Sequence, residues 1–211
     1  CRTSSESPGR CYPAPPVQDL FAVFQPGLED LDAAELAALG LGPLTPHPGG
    51  VAFTGGIAEV ARANLRLSLA TRLLVRVGSF RAPGFPELHA QAARLPWERF
   101  IAGGAAPRII VSVTAHKSRL YHTVGIAERV AKGLGERLGA APELLPAEDD
   151  EAVPGPGAAE ATTATRIYVR LERDRCTVSI DSSGEPLHRR GYRLALARAP
   201  LRPTLAAAML H

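Results

Sequence analysis

Apolar positions along this chain switch between a period of two and a period of three to four, and the switches set out the elements. The run LFAVF at 20–24 reads as a short strand. Pro26-Gly27 then opens a helix carrying Leu28, Leu31, Ala34 and Ala38, and Gly40 stops it. Residues 41–50 are rich in proline and glycine and read as a loop. A second strand is expected at 51–54, and Gly55-Gly56 separates it from a helix marked by Ile57, Val60, Ala61 and Leu65. Residues 71–80, TRLLVRVGSF, alternate and predict a longer strand. This β-α-β-α-β order needs one further strand to complete a ferredoxin-like split unit.

After a Pro/Gly break at 81–86, a helix is expected at 87–94, and a turn at Pro96-Trp97-Glu98. Trp97 reads as a large residue closing a small core. The most ordered pattern lies at 108–138. A β-branched strand at 109–114 feeds a helix with Val124, Ala127, Val130, Ala131, Leu134 and Leu138 on one face. Between them lies a polar, basic turn, residues 116–122. Residues 140–165 are low in complexity and carry the acidic run Glu148-Asp149-Asp150-Glu151, which predicts a mobile, solvated insertion. Strands at 166–171 and 176–181 form a hairpin by pattern, a turn follows at 182–185, and a last helix starts at Thr204.

Composition changes the picture mainly through charge. The chain of 211 residues has a net charge of only +3, but residues 108–137 hold +4 and residues 166–202 hold +5, leaving −6 for the rest. Cations gathered in two segments point to a polyanionic partner. A hydrophobic content of 45% supports real cores, and no apolar run of membrane-spanning length occurs, so no membrane partner is expected. Cys1, Cys11 and Cys176 show no metal-ligand spacing, and an odd count without a secretion signal predicts a reducing, cytoplasmic setting. Cys176 falls in a strand pattern and reads as packing. No metal site is expected.

The turn at 116–122 is the first candidate site. A strand feeding a helix through a cationic bend aims the helix N-terminus and nearby charges at one spot, which suits a phosphate. Lys117 and Arg119 flank Ser118, which could either cap the helix or donate to a phosphate. Tyr121 and His122 could stack on an unpaired base or pack inward. Arg189, Arg190 and Arg193 form a second cationic cluster. His116, His122 and His188 have no neighbouring nucleophile or carboxylate in a catalytic arrangement, and the Ser118 region lacks the spacing of a nucleophile elbow. Hydrolase readings are excluded on these grounds, and His188 reads as fixing a turn.

Three stretches carry a family resemblance. GLEDLDAAELAALG, GGVAFTG and ANLRLSLATRLLVRVGSF resemble the N-terminal segment of THUMP-containing class I RNA methyltransferases. PWERF and VSVTAHKSRLYHTVGIAERV resemble the THUMP domain. VSIDSSGEPLHRRGYR and APLRPTLAAAML resemble the junction to the catalytic domain, and this last pattern is the most specific. The resemblance covers 20–211 and is nearest to bacterial guanine-N2 methyltransferases of large-subunit ribosomal RNA.

The resemblance implies an α+β chain. A disordered head at 1–18 precedes a ferredoxin-like domain at 19–82 and an RNA-binding THUMP α/β domain at 83–193. Residues 194–211 are a linker and the start of a methyltransferase domain. No glycine-rich cofactor loop and no Asn/Asp-Pro-Pro-Tyr/Phe motif is found, so the Rossmann-like catalytic domain is expected to be absent and the chain to be inactive alone. The expected partners are RNA, ribosomal or else transfer RNA, and the chain's own C-terminal methyltransferase domain. No cofactor is expected in this chain, and S-adenosylmethionine is expected for the full-length protein.

Overall fold

The computed structural model describes residues 17–101, 106–147, 164–189 and 201–210. The expected head and most of the expected acidic insertion lie outside these residues, as do Arg190 and Arg193.

Strand β1 (Gln18–Val23) leads into helix α1 (Glu29–Ala38). Gly27, at φ +95°, makes the bend, and its N–H donates to both oxygens of the Glu29 carboxylate at 3.0 and 3.1 Å. Glu29 and Asp30 in the first turn interact favourably with the helix dipole. Gly40, at φ +68°, ends the helix. The stretch expected as a loop contains a short edge strand, β2 (Thr45–His47), paired to β3 (Gly50–Gly55). Helix α2 (Ile57–Arg66) follows, with the Gly56 N–H donating to Glu59 at 2.8 Å, and then β4 (Arg72–Arg81).

The second half opens with α3 (Phe85–Ala92) and a single 3₁₀ turn, Trp97–Arg99. Trp97 is buried, and its indole N–H donates to the Ala92 carbonyl at 2.8 Å. Strand β5 (Arg108–His116), helix α4 (Thr123–Leu138) and strand β6 (Glu143–Leu145) make a parallel crossover, with Gly139 at φ +71° ending the helix. Strand β6 was missed in the sequence because it falls within the low-complexity stretch. Strands β7 (Thr165–Glu172) and β8 (Arg175–Asp181) form the expected hairpin. Its two turn residues, Arg173 and Asp174, both have positive φ, which matches the twist of a tight hairpin. Helix α5 (Pro203–Ala208) closes the described chain.

All strands join one eight-stranded mixed sheet in the order β2-β3-β1-β4-β8-β7-β5-β6. The expected fold, a ferredoxin-like unit followed by a separate THUMP α/β domain, is therefore corrected. Strand β4 pairs along its length with β8, about a hundred residues later, so the sheet runs unbroken through both halves. Local periodicity carries no information about such a pairing.

Helices cover the face of this sheet that presents the apolar parity. Leu20, Ala22, Val51, Phe53, Leu73 and Val75 join Leu36 and Ala63 in one core. Ile109, Val111, Ile167, Val169, Leu171, Cys176 and Val178 join Leu88, Trp97, Ile126, Val130 and Leu134 in a second. Cys176 is a packing residue, as expected: burial pushes its thiol up to about 12.

A polar clasp ties the end of β8 to the first half. Arg72 and Asp181 form a buried ion pair, and Arg72 also donates to the Gly184 carbonyl at 2.9 Å. The Ser182 hydroxyl donates to the Leu73 carbonyl, and the Ser183 hydroxyl accepts from the Leu73 N–H, both at 2.8 Å. Asn64 on α2 contacts both serines. The Asp-Ser-Ser-Gly stretch of the junction pattern is thus a fold-locking element.

Candidate nucleic-acid interface

The cationic turn after β5 is built differently from its sequence expectation. Lys117 sits at φ +48° and is exposed. The Ser118 hydroxyl donates to the His116 carbonyl and accepts from the Asp174 N–H, both at 3.1 Å, so it pins the turn to the β7–β8 hairpin and does not cap α4. Arg119 is held by the same hairpin: its N–H donates to Asp174 at 2.8 Å and its guanidinium lies 3.5 Å from that carboxylate. The cap of α4 is His122, whose Nδ1 accepts from the Gly125 N–H at 3.1 Å. A helix N-terminus already served by an imidazole is less open to a phosphate than one served only by water. Tyr121 is 80% exposed, while its neighbour Leu120 is buried.

A larger positive surface lies on the face of the sheet opposite the two apolar cores. Side chains alternate across a strand, so residues adjacent to core positions point here. Strand β7 shows it directly: Ile167, Val169 and Leu171 are buried, while Tyr168 is half-buried and Arg170 and Glu172 are exposed. Register carries the pattern across neighbouring strands. Arg76, Ser179, Tyr168 and Ser112 make one row; Ser79, Thr177, Arg170 and Thr114 the next; Arg81, Arg175, Glu172 and His116 a third. A bulge between Arg76 and Gly78 keeps both Arg76 and Ser79 in these rows although they are three residues apart.

The face forms a trough of about 1310 Å³, whose lining also includes His188, Arg189 and the start of α5. Among the described residues it is lined by eight arginines against a single carboxylate, Glu172, which Arg170 holds at 3.3 Å. Among the described residues, Arg76, Arg81 and Arg175 have no carboxylate within 4 Å. Burial, with the nearby charge of Arg170, holds the half-buried Arg76 guanidinium below its ordinary range, although Asp19 opposes this. Like charges crowded in a partly dry surface are relieved by an anion.

Two aromatic rings lie among these cations. The Arg76 guanidinium sits 5.0 Å from the Phe21 ring centre, and that of Arg72 sits 5.8 Å from the Tyr168 ring centre. The Phe21 ring lies against Gly50, where an added Cβ would fall 2.5 Å from the ring.

The predicted residues thus divide. His116, beside Lys117, lines the trough, and so does Arg189, which also lies 3.6 Å from Glu185. Lys117, Ser118, Arg119, Tyr121 and His122 belong to the turn at the trough's β7–β8 end, where Arg173 connects the two surfaces. Arg190 and Arg193 lie outside the described residues. Arg76, Arg81, Arg170, Arg175, Tyr168 and Phe21 were not singled out from sequence, although their alternation with buried positions was visible there. No helix among the described residues is long and apolar enough to cross a membrane.

Residues 19–74 match the family model for the RlmL ferredoxin-like domain. The chain superposes with a TM-score of 0.74 and 32% identity on a Listeria monocytogenes protein described as a predicted N6-adenine-specific DNA methylase, and with 0.72 and 28% on SMU.472, a methyltransferase-like protein solved with SAH. Each match covers 92% of this chain and 48% of the other. The expected absence of a Rossmann-like catalytic part falls with the rest of the fold expectation, since likeness to methylase structures runs along nearly the whole chain. The SAH in SMU.472 likewise leaves the expectation of no cofactor in this chain without support. The trough itself does not fit S-adenosylmethionine: its arginines repel a sulfonium, and Glu172 and the adjacent Asp181 are held by Arg170 and Arg72. The chain is homologous to the ribosomal RNA large subunit methyltransferase K/L of Syntrophotalea carbinolica, 33% identical over 190 residues that span 90% of this chain and 25% of that protein.

Proposed function

We propose that this chain serves RNA methylation by holding the RNA, with large-subunit ribosomal RNA as the substrate and guanine N2 as the methylated atom. One observation carries the reading: an open sheet face with eight arginines and one glutamate among the described residues, on a chain homologous to a ribosomal RNA methyltransferase. Phosphate contacts from Lys and Arg supply most of the affinity for nucleic acid. Both halves of the sheet hold the RNA, with Phe21, Arg76 and Arg81 from the first and Tyr168, Arg170 and Arg175 from the second. Lys117, Tyr121 and His122 extend the contact beyond the trough, Arg189 acts from within its lining, Arg190 and Arg193 also bind RNA, and Ser118 and Arg119 shape the turn that presents Lys117. S-adenosylmethionine is the methyl donor of the whole protein, and the reaction is cytoplasmic.

The test is genetic and chemical. Cells lacking the gene should lose one N2-methylguanine of large-subunit ribosomal RNA. The wild-type gene should restore it, and a variant with Arg76, Arg170 and Arg175 changed to glutamate should not. Loss of a transfer-RNA modification instead would assign the chain to that substrate, and an unchanged RNA modification map would reject the reading.

A further inference from the structure

We infer that the open sheet face takes an unpaired stretch of RNA, with one base against the Phe21–Arg76 pair and another against Tyr168. This deepens the proposed RNA-holding role and rests on it. Three observations lead there.

The first is the shape of the Phe21 site. Gly50 has no side chain, and the Phe21 ring fills the space a Cβ would take. The ring therefore lies down along the sheet, over the neighbouring strand, instead of standing away from it. A flat ring in a trough, with a guanidinium 5.0 Å from its centre, offers a π surface and a charge to one nucleotide.

The second is spacing. Phe21 and Tyr168 are separated by β4 and β8, three strand steps, which places them roughly 15 Å apart at about 4.8 Å per step. That interval is too long for adjacent stacked bases, about 3.4 Å apart along a strand, and suits an extended strand with nucleotides between the two platforms. Ser79, Thr177 and Thr114 in the rows between the arginines supply hydroxyls for phosphates, sugars or base edges.

The third is the distribution of charge. Two of the trough's arginines lie over its rings, Arg76 over Phe21 and Arg72 over Tyr168, and Arg81, Arg170 and Arg175 line the same trough. A paired A-form helix keeps its bases stacked inside and offers a protein mainly phosphates and 2′-hydroxyls. A single strand can place bases on the rings and phosphates on Arg81, Arg170 and Arg175 together. The trough also exceeds the roughly 300–1,000 Å³ of small-molecule pockets, so a several-nucleotide segment suits it better than a free nucleotide.

The experiment uses the 211-residue chain and two probes: a fluorescein-labelled 12-nucleotide RNA of mixed pyrimidine sequence, and the same strand annealed to its complement. Binding is followed by fluorescence anisotropy at fixed low salt. The single strand should bind at least tenfold more tightly than the duplex. Tyr168→Leu and Phe21→Leu should each weaken single-strand binding by about five- to a hundredfold, the range for one lost base stack, and leave duplex binding unchanged. Tyr168→Phe keeps the ring and should bind like the wild type. Should Phe21→Leu not fold, the Tyr168 pair of variants decides alone. Equal or stronger duplex binding, or unchanged single-strand binding by Tyr168→Leu, would overturn this inference and leave the RNA-holding role standing. No binding of either probe would overturn both.

Discussion

The two faces of one sheet are made from alternate residues of the same strands and do opposite work. In β7, Ile167, Val169 and Leu171 meet the helices, while Tyr168, Arg170 and Glu172 line the trough. The helix side is dry and apolar, and burial there removes water from hydrocarbon, about 1.5–3 kcal/mol for each large side chain fully buried. The open side gathers charge that the fold does not neutralise. Apolar burial therefore resides in one parity and the proposed RNA surface in the other, and a single-residue slip in register would exchange them.

The largest effect is expected where the two halves of the sheet are tied together. Arg72 belongs to the trough yet is buried against Asp181. Arg72→Met should destabilise the protein by about 3–5 kcal/mol by leaving a buried carboxylate without its cation, read as a lowered urea midpoint. Adding Asp181→Leu should restore most of the loss. If Arg72→Met alone is neutral, the clasp does not join the halves.

Next comes a direct comparison of parities within β7. Ile167→Ala should cost about 2–5 kcal/mol by opening a cavity and leave the RNA affinity of the folded protein intact. Arg170→Ala should change stability by less than about 0.5 kcal/mol and weaken RNA binding. Equal stability losses from the two would erase the distinction between the faces.

A smaller effect concerns the helix side alone. Asp32 is 1% exposed, and neither of its carboxylate oxygens has a hydrogen-bond partner among the described residues. Burial, then Glu35 and Glu29, push its carboxyl up to about 7. Between the unfolded value near 3.8 and about 7, the native protein holds a proton the unfolded chain has released. Stability is therefore fully present below that window and falls as pH rises through it, by at most about 1.4 kcal/mol per pH unit. Asp32→Asn should flatten this dependence in thermal melts from pH 4 to 7.5; an unaltered slope would show that Asp32 is not its source.

Much of the fold was legible in sequence. The 3.6-residue period of α4, the Gly40 stop after α1 and the alternation around Arg173-Asp174 each state a local preference that the tertiary structure keeps. The pairing of β4 with β8 was not legible, because it depends on which strands meet and not on how each is patterned. The site was half legible. Cations clustered in sequence, at 116–122 and 188–193, attract notice, whereas Arg76 and Arg170 are scattered among hydrophobic residues. Their common face emerges only once register lines the strands up. Ser118 shows the converse: its sequence position suits a cap, but the hairpin turn of another strand pair takes its hydroxyl.

The measurement that bears most directly on the open face as the RNA surface is the salt dependence of RNA binding. Each lost phosphate contact lowers the slope of log K against log salt by about 0.7 for a single strand. Replacing Arg76, Arg170 and Arg175 together by glutamine should cut affinity at least a hundredfold and lower the slope by about two. Replacing Lys117 and Arg119 by alanine should lower it by one or less, since Arg119 already pairs with Asp174. The reverse result, with a steep slope kept by the sheet-face variant and lost by the turn variant, would contradict the account.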